Sequence, residues 1–197
     1  MNARLNMISL NLTAFDLRLI PKIYNKRRHS FYLLTGFAGL LLIYWEIHIY
    51  RLTLISIWVP LGIIAISAVL ATLLDYRQYG ETYNLSGLQN LFFAGCWNIA
   101  SWGFLLCSAF ILSNYYLHGD GVTRKEFEIV SRSSLPGDKS DRDKRKPTFD
   151  IRYKGLEKEL VFEHRFYKWK DDYKSVILAL EDGFWGYEII RSKALTK

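Results

Sequence analysis

A long, almost uncharged stretch in the middle of the chain limits what this sequence can fold into. Residues 31–117 carry only five charged side chains, which are Glu46, Arg51, Asp75, Arg77 and Glu81. Residues 118–197, in contrast, carry eighteen Lys or Arg and fifteen Asp or Glu. A stretch without charge suits lipid, and a stretch dense in both charges suits water. We therefore expect a membrane region followed by a soluble domain.

The first half of the uncharged stretch is too long for one membrane crossing. As a single helix, residues 31–74 would extend about 66 Å, roughly twice the hydrocarbon thickness of a bilayer. The segment YWEIHIYR (44–51) interrupts the apolar residues, so we expect the chain to turn there. Glu46, His48 and Arg51 would then reach water, beside aromatic residues typical of the lipid boundary.

The sequence predicts three membrane helices, at about 30–47, 52–74 and 90–116. The fold class that follows is an α+β membrane protein. Its three transmembrane helices occupy residues 30–117, and a small, mainly β extramembrane domain occupies residues 118–197.

Residues 1–29 form a basic N-terminal segment, expected to be cytoplasmic or interfacial. The segment lacks the apolar core and cleavage site of a signal peptide. The basic residues nearest to the first helix, which we expect to contact lipid headgroups, are Lys22, Lys26, Arg27 and Arg28. Because positive charge is retained in the cytoplasm, the pattern predicts a cytoplasmic N-terminus in the cell (inner or plasma) membrane. Residues 118–197 would then face the opposite side.

Small residues in two of the predicted helices indicate where the helices pack. Cys96, Ala100, Gly103 and Cys107 form a stripe along the third helix, and the first helix offers Gly36 and Gly39. Small residues let membrane helices approach closely. The stripe favours packing within one chain, with the seam of a homo-oligomer as the alternative. The two cysteines are too far apart along the helix to bridge to each other.

Two further residues of the membrane region stand out. Pro60 is expected to kink the second helix by removing a backbone donor. Asn98, deep in the third, is expected to form a hydrogen bond with a neighbouring helix. No acidic or basic residue falls near the middle of a predicted span, which argues against an ion-coupled carrier.

Four polar residues end the first and third helices on the same predicted side. They are Glu46, His48, His118 and Asp120. Two imidazoles and two carboxylates could bind a zinc-like ion. No ligand-pair spacing such as HxxxH supports such a metal site, and interfacial polar residues are common.

The charged C-terminal region has the patterns of short strands. Residues 123–133 alternate as a strand does, and residues 148–163 predict a hairpin. With a four-residue loop at 154–157, this hairpin would place Ile151 opposite Leu160 and Phe149 opposite Phe162.

Residues 173–182 permit two interpretations. In a hairpin with Asp182-Gly183 as its turn, Leu178 would lie opposite Tyr187, and Glu188 would be exposed. In a helix capped by Asp172, residues 173, 176, 177 and 180 would share one face. The preceding segment RFYKWKDDYK alternates basic and aromatic residues. This pattern favours a strand; contact with lipid headgroups is the second alternative, and nucleic-acid binding is the least favoured.

No catalytic signature occurs in the sequence, and we expect neither enzymatic activity nor a cofactor. The sequence favours a non-enzymatic accessory or assembly subunit. Its β domain would bind another membrane or envelope protein, or a second copy of the chain. One alternative is an oligomeric pore or carrier, and another is a membrane enzyme or metal site at the outer interface. The abundance of Tyr, Lys, Asn and Ile suggests a bacterial source with an AT-rich genome.

Overall fold

A helical region precedes a β-sheet in the structure, a computed structural model that describes residues 26–119, 121–137 and 144–197. Three helical segments, Lys26–Arg51, Trp58–Tyr83 and Gly87–Tyr116, are long and apolar enough to cross a membrane. They are followed by five antiparallel strands. The predicted order of three apolar helices and a small β domain is thus confirmed.

The first helix, α1 (Lys26–Arg51), is longer at both ends than the sequence predicted. YWEIHIYR lies inside it, and the chain turns at residues 52–57 instead. The expected exit of Glu46 to water is therefore wrong. Glu46 is buried, while His48 and Arg51 are exposed. The helix can continue through this segment because its one buried charge finds partners inside the bundle.

The second helix, α2 (Trp58–Tyr83), begins only two residues before Pro60. A proline in the first turn removes an N–H that has no partner within the helix. At this position Pro60 breaks no hydrogen bond of the helix, so the reason given for a kink there does not apply. The helix ends at Asn84, which has a left-handed φ of 56° and donates its N–H to the carbonyl of Gly80.

The third helical segment is not uniform. It consists of α3 (Gly87–Asn98), a π-helical turn (Ile99–Gly103) and α4 (Phe104–Tyr116). Because a π turn holds more residues than an α turn, it changes which side chains of the following helix α4 face the bundle. The buried face of α3 consists of Asn90, Ala94 and Asn98, which leaves Cys96 exposed.

The sheet is built from five strands in the spatial order β3-β2-β1-β4-β5. The strands are β1 (Val122–Leu135), β2 (Lys146–Tyr153), β3 (Leu156–Val161), β4 (Ser175–Asp182) and β5 (Glu188–Thr196). β1 pairs with β4 through its first half and with β2 through its second half. Lys193 of β5 donates to the carbonyl of Val161 in β3, so the two outer strands approach each other. We call this curved five-stranded sheet the half-barrel.

The hairpin of β2 and β3 exists, but its predicted register is wrong by two residues. Phe149 lies opposite Leu160, and Tyr153 lies opposite Leu156. The turn is Lys154-Gly155, with φ values of 45° and 83°. Two left-handed residues match the twist of a two-residue hairpin, and the four-residue loop was therefore too long. A shift of two preserves the buried face.

Residues 175–182 form a strand, so the helical alternative is wrong there. The register predicted for β4 and β5 is also wrong, since Leu178 lies opposite Lys193. Residues 183–187 connect the strands and contact the helices. Glu188, predicted to be exposed, is only 6% exposed. The preceding segment forms a 3-10 helix, His164–Trp169, rather than the expected strand.

The core of the half-barrel includes a residue from the membrane region. Its buried members are Leu54, Ile129, Phe149, Ile151, Tyr153, Leu160, Phe162, Tyr173, Val176, Leu178, Leu180 and Ile190. Leu54 belongs to the turn between α1 and α2. The N–H of Leu54 donates to the carbonyl of Glu188 at 2.8 Å, and the N–H of Ile190 donates to the carbonyl of Leu52 at 2.7 Å. The turn is therefore part of the sheet, and the two regions form one structural unit.

Candidate functional site

The interior of the helix bundle contains a carboxylate, Glu46, which is 7% exposed. The thiol of Cys107 lies 2.9 Å from its Oε1, and the hydroxyl of Ser108 lies 3.0 Å from its Oε2. The two groups of α4 thus give each carboxylate oxygen a hydrogen-bond donor. This arrangement joins the first helix to the third.

A row of polar residues continues along the inner face of the third segment. Asn98 donates to the hydroxyl of Thr72 in α2 at 3.2 Å, which confirms the bond expected between helices. Asn90 donates to the carbonyl of Tyr76 at 2.7 Å. Ser101 donates to a carbonyl of its own helix at 2.8 Å. Partnered groups of this kind hold helices together in lipid.

The predicted packing residues make close contacts at several positions. A Cβ added to Gly39 would lie 2.1 Å from the carbonyl oxygen of Ala100, and one added to Gly36 would lie 2.4 Å from the ring of Trp97. A Cβ on Gly103 would lie 3.0 Å from Ile64. At Gly39 the obstacle is backbone, so this approach requires glycine, whereas at Gly36 and Gly103 a neighbouring side chain would have to shift.

The four proposed metal ligands have separate surroundings. Glu46 contacts α4, His48 is exposed, and His118 pairs with Glu181 at 2.8 Å. Asp120 lies outside the described residues. Within the described parts of the chain, no group of three or more His, Cys, Asp or Glu side chains is placed to hold a metal ion.

The basic residues predicted to set the orientation are only partly described. Lys26, Arg27 and Arg28 lie in the first turn of α1, and Lys22 falls outside the described residues. Arg28 lies 3.8 Å from Glu81 near the end of α2. Part of the positive cluster is therefore balanced by an acidic residue at the same end of the bundle.

Asn114, near the end of α4, holds the connection between β4 and β5. Its Oδ1 accepts the N–H of Trp185 at 2.9 Å, and its Nδ2 donates to the carbonyl of Tyr187 at 3.1 Å. Its own carbonyl accepts the N–H of Phe184 at 3.2 Å. A Cβ on Gly183 would lie 2.4 Å from Nδ2 of Asn114, so this loop can fit only with glycine there.

An ionic cluster lies beside the Asn114 contact. Glu181 of β4 pairs with both His118 and Arg191. Arg191 holds the pKa of Glu181 below its usual range. The guanidinium of Arg191 also lies 5.1 Å from the ring of Tyr115 in α4. The sheet and the helix end are thus joined by charge as well as by backbone hydrogen bonds.

A cavity of about 690 Å³ opens between the α1–α2 turn and the β2–β3 hairpin. We call it the interfacial groove, and it is lined by Tyr50, Leu54, Ile55, Ser56, Ile57, Trp58, Arg152, Tyr153, Gly155, Leu156, Glu157 and Lys158. The turn joins two helices that are long enough to span a bilayer, so the groove lies at the level of the bilayer surface if they do.

Lys158 gives the interfacial groove its electrostatic character. Its ammonium donates to the carbonyl of Tyr50 at 3.0 Å and lies 4.2 Å from the centre of the Tyr50 ring. Burial and, to a lesser extent, the charge of Arg51 together lower the pKa of Lys158 to about 8. The surroundings of Lys158 in the groove therefore disfavour its protonated, charged form.

Sequence reasoning missed both Lys158 and Asn114. In the sequence, Lys158 is one of several charged residues of the β2–β3 hairpin and Asn114 is a polar residue near the end of α4, so neither stands out. Their importance depends on contacts across 108 and 73 positions of the chain. No local pattern carries such information.

Comparison with known proteins adds no relationship: no family model matches the chain, and neither does any curated protein or solved structure.

Proposed function

We propose that this chain is a non-enzymatic protein of a bacterial inner membrane that serves as an accessory or assembly subunit. Its three apolar helices anchor it in the bilayer, and its half-barrel binds a partner protein. The observation that carries this proposal is the hydrogen-bonded junction between the two regions. Residues 52–54 enter the sheet, and Asn114 holds the β4–β5 connection.

A fixed orientation favours recognition at a membrane surface. Binding costs less conformational entropy when the binding surface is already ordered. A domain on a flexible tether would lose more freedom on docking than one fixed to its anchor. The junction therefore suits a protein that presents one surface to a neighbour in the same membrane.

The central strand β1 offers the most accessible surface for such a neighbour. Ile129 is its only buried residue. Val122 and Val130 are 59% and 49% exposed, and Leu135 is 42% exposed, among charged residues of both signs. Exposed apolar side chains within a polar surround are typical of transient interfaces. We place the partner surface along β1.

The buried polar residues of the bundle support packing rather than transport. Asn98 and Ser108 each have a partner within the bundle, and Glu46 has two. A conduction path requires polar groups that face water or a solute. The oligomeric pore is therefore the weaker interpretation.

Site-specific photo-crosslinking tests the partner surface. A photoreactive amino acid would replace Val130 of β1 in the full chain, and a matched control would place it at exposed Lys168 of the 3-10 helix. We expect one discrete adduct from Val130 and none from Lys168. Adducts of equal yield from both positions, or no adduct from a folded Val130 variant, would contradict the proposal.

We further propose that the N-terminus is cytoplasmic and that the half-barrel lies on the opposite side. The support is the positive cluster at residues 22–28 before α1. Alkaline phosphatase fused after Lys197 should be active, and green fluorescent protein fused there should be dark. A fluorescent fusion without phosphatase activity would reverse the orientation.

A further inference from the structure

The interfacial groove has one wall from each region of the protein. One wall is the turn between two helices long enough to span a bilayer, and the other wall is a hairpin of the soluble domain. Trp58, at the start of α2, is 77% exposed, and Ile57 is 48% exposed. Exposed aromatic residues at a helix end are typical of the lipid–water boundary. The groove thus has an apolar rim on its bundle side.

The charged residues in and beside the groove leave an excess of positive charge. Arg152 and Glu157 lie 3.2 Å apart and neutralise each other. Lys158 remains in the lining, and Arg51, which follows Tyr50 in the chain, lies close enough for its charge to act on Lys158. Among the described residues, no carboxylate forms an ion pair with either of them. Two cations therefore lie close together without an anion to balance them.

The hydrogen bond from Lys158 to Tyr50 leaves N–H donors of the ammonium available for a ligand. An ammonium carries three N–H donors, and the carbonyl of Tyr50 takes one of them. A carbonyl at a helix C-terminus attracts a cation but does not neutralise it. An anionic oxygen would supply the missing charge and accept further hydrogen bonds. Phosphate fits because both ammonium and guanidinium groups bind it through charge-assisted hydrogen bonds.

We propose that the interfacial groove binds the phosphate of an anionic membrane lipid, with Lys158 and Arg51 as its ligands and the acyl chains beside Trp58. The volume of about 690 Å³ is large enough for a headgroup, since it equals the space of roughly twenty water molecules. Basic pockets between membrane helices bind the headgroups of anionic lipids. The proposal requires that the bundle be embedded in lipid, and it does not depend on a protein partner.

Native mass spectrometry of the full chain in a neutral detergent tests this site. The probes are phosphatidylglycerol and phosphatidylcholine with identical acyl chains. We expect one retained phosphatidylglycerol per chain and at least a tenfold preference over phosphatidylcholine. Arg51→Gln, at an exposed position, should weaken the preference without disturbing the fold, and adding Lys158→Met should abolish it.

The matched control removes two cations from other surfaces. Arg124→Gln with Lys168→Met makes the same change in net charge, and it should retain the preference. Three outcomes would overturn the proposal: equal retention of the two lipids, an unchanged preference in the Arg51→Gln variant, or an equal loss in the control. Complete displacement of the lipid by millimolar inorganic phosphate would also overturn it, because the site would then be one for a soluble anion.

Discussion

Leu54 donates its backbone N–H to the carbonyl of Glu188 at 2.8 Å, and its side chain, 3% exposed, belongs to the core of the half-barrel. We therefore predict that Leu54→Ala destabilises the β domain although the residue lies between two membrane helices. The expected loss is about 2–5 kcal/mol, as for other buried leucines. Ile57→Ala, in the same turn but 48% exposed, should change stability by less than about 0.5 kcal/mol. Urea unfolding of the full chain, followed by near-ultraviolet circular dichroism, measures both, and equal effects would contradict the role of Leu54.

A second prediction concerns the contact between α1 and the π-helical turn. Gly39→Ala should force the helices apart, because the added Cβ would lie 2.1 Å from the carbonyl oxygen of Ala100. Overpacking of this kind costs about 1–3 kcal/mol. Gly62→Ala is the matched control, since a Cβ there meets nothing within 4 Å. Thermal unfolding in detergent should show a lower midpoint for Gly39→Ala alone. A lower midpoint for Gly62→Ala would point to another interface.

A third prediction concerns the buried carboxylate. Glu46→Ala removes the acceptor for both Cys107 and Ser108, and an unsatisfied buried donor costs about 1–3 kcal/mol. Glu46→Gln keeps one acceptor oxygen and should cost less. His48→Ala, two positions along at an exposed site, should leave the thermal midpoint unchanged. If Glu46→Gln proved as harmful as Glu46→Ala, the hydrogen bonds would not explain why Glu46 is buried.

The general architecture could be predicted from the sequence because it depends on composition and on element length. The low charge of residues 31–117 indicated the helices, and alternation indicated strands β1 to β3. The prediction of a turn at YWEIHIYR was wrong for a physical reason: Glu46 finds its hydrogen-bond donors on α4, some sixty positions later in the chain. A charge in a local window does not reveal whether it will face water or a distant partner.

The strand registers show the same limit. The buried faces of β2 and β3 were predicted because side chains alternate along a strand, and a shift of two residues preserves that alternation. The turn itself depends on left-handed conformations at Lys154 and Gly155. In β4 and β5, the loop 183–187 is set by its contacts with Asn114, so no hairpin rule could give its length.

A fourth prediction concerns the pH dependence of lipid binding. Lys158 has a pKa of about 8 in the folded protein, below its usual 10.5, so it is charged at pH 7 and loses its proton as pH rises through 8. Affinity for phosphatidylglycerol should be constant from pH 6 to 7.5 and should fall above pH 8. Lys158→Arg, which stays charged, should bind with constant affinity up to pH 10. A fall of the same size in that variant would assign the titration to another group.

The lowered pKa of Lys158 also affects the free energy of unfolding in the absence of lipid. Between pH 8 and 10.5 the unfolded chain holds a proton on Lys158 that the folded chain has released. Stability therefore rises with pH across this window, because the unfolded state binds more protons. Lys158→Met should remove this rise.

The central claim is that the half-barrel is held in one orientation on the helix bundle, and a distance between two spin labels tests it most directly. One label would be attached to the native Cys96 on α3 and the other to Arg124→Cys on β1. Cys107→Ser would prevent labelling of the buried cysteine while keeping a donor for Glu46. In lipid nanodiscs, pulsed electron paramagnetic resonance should give a single narrow distance distribution, which should broaden when Asn114→Ala removes the hold on the β4–β5 connection. A broad distribution in the protein that retains Asn114 would show that the domain moves freely, and would contradict the claim.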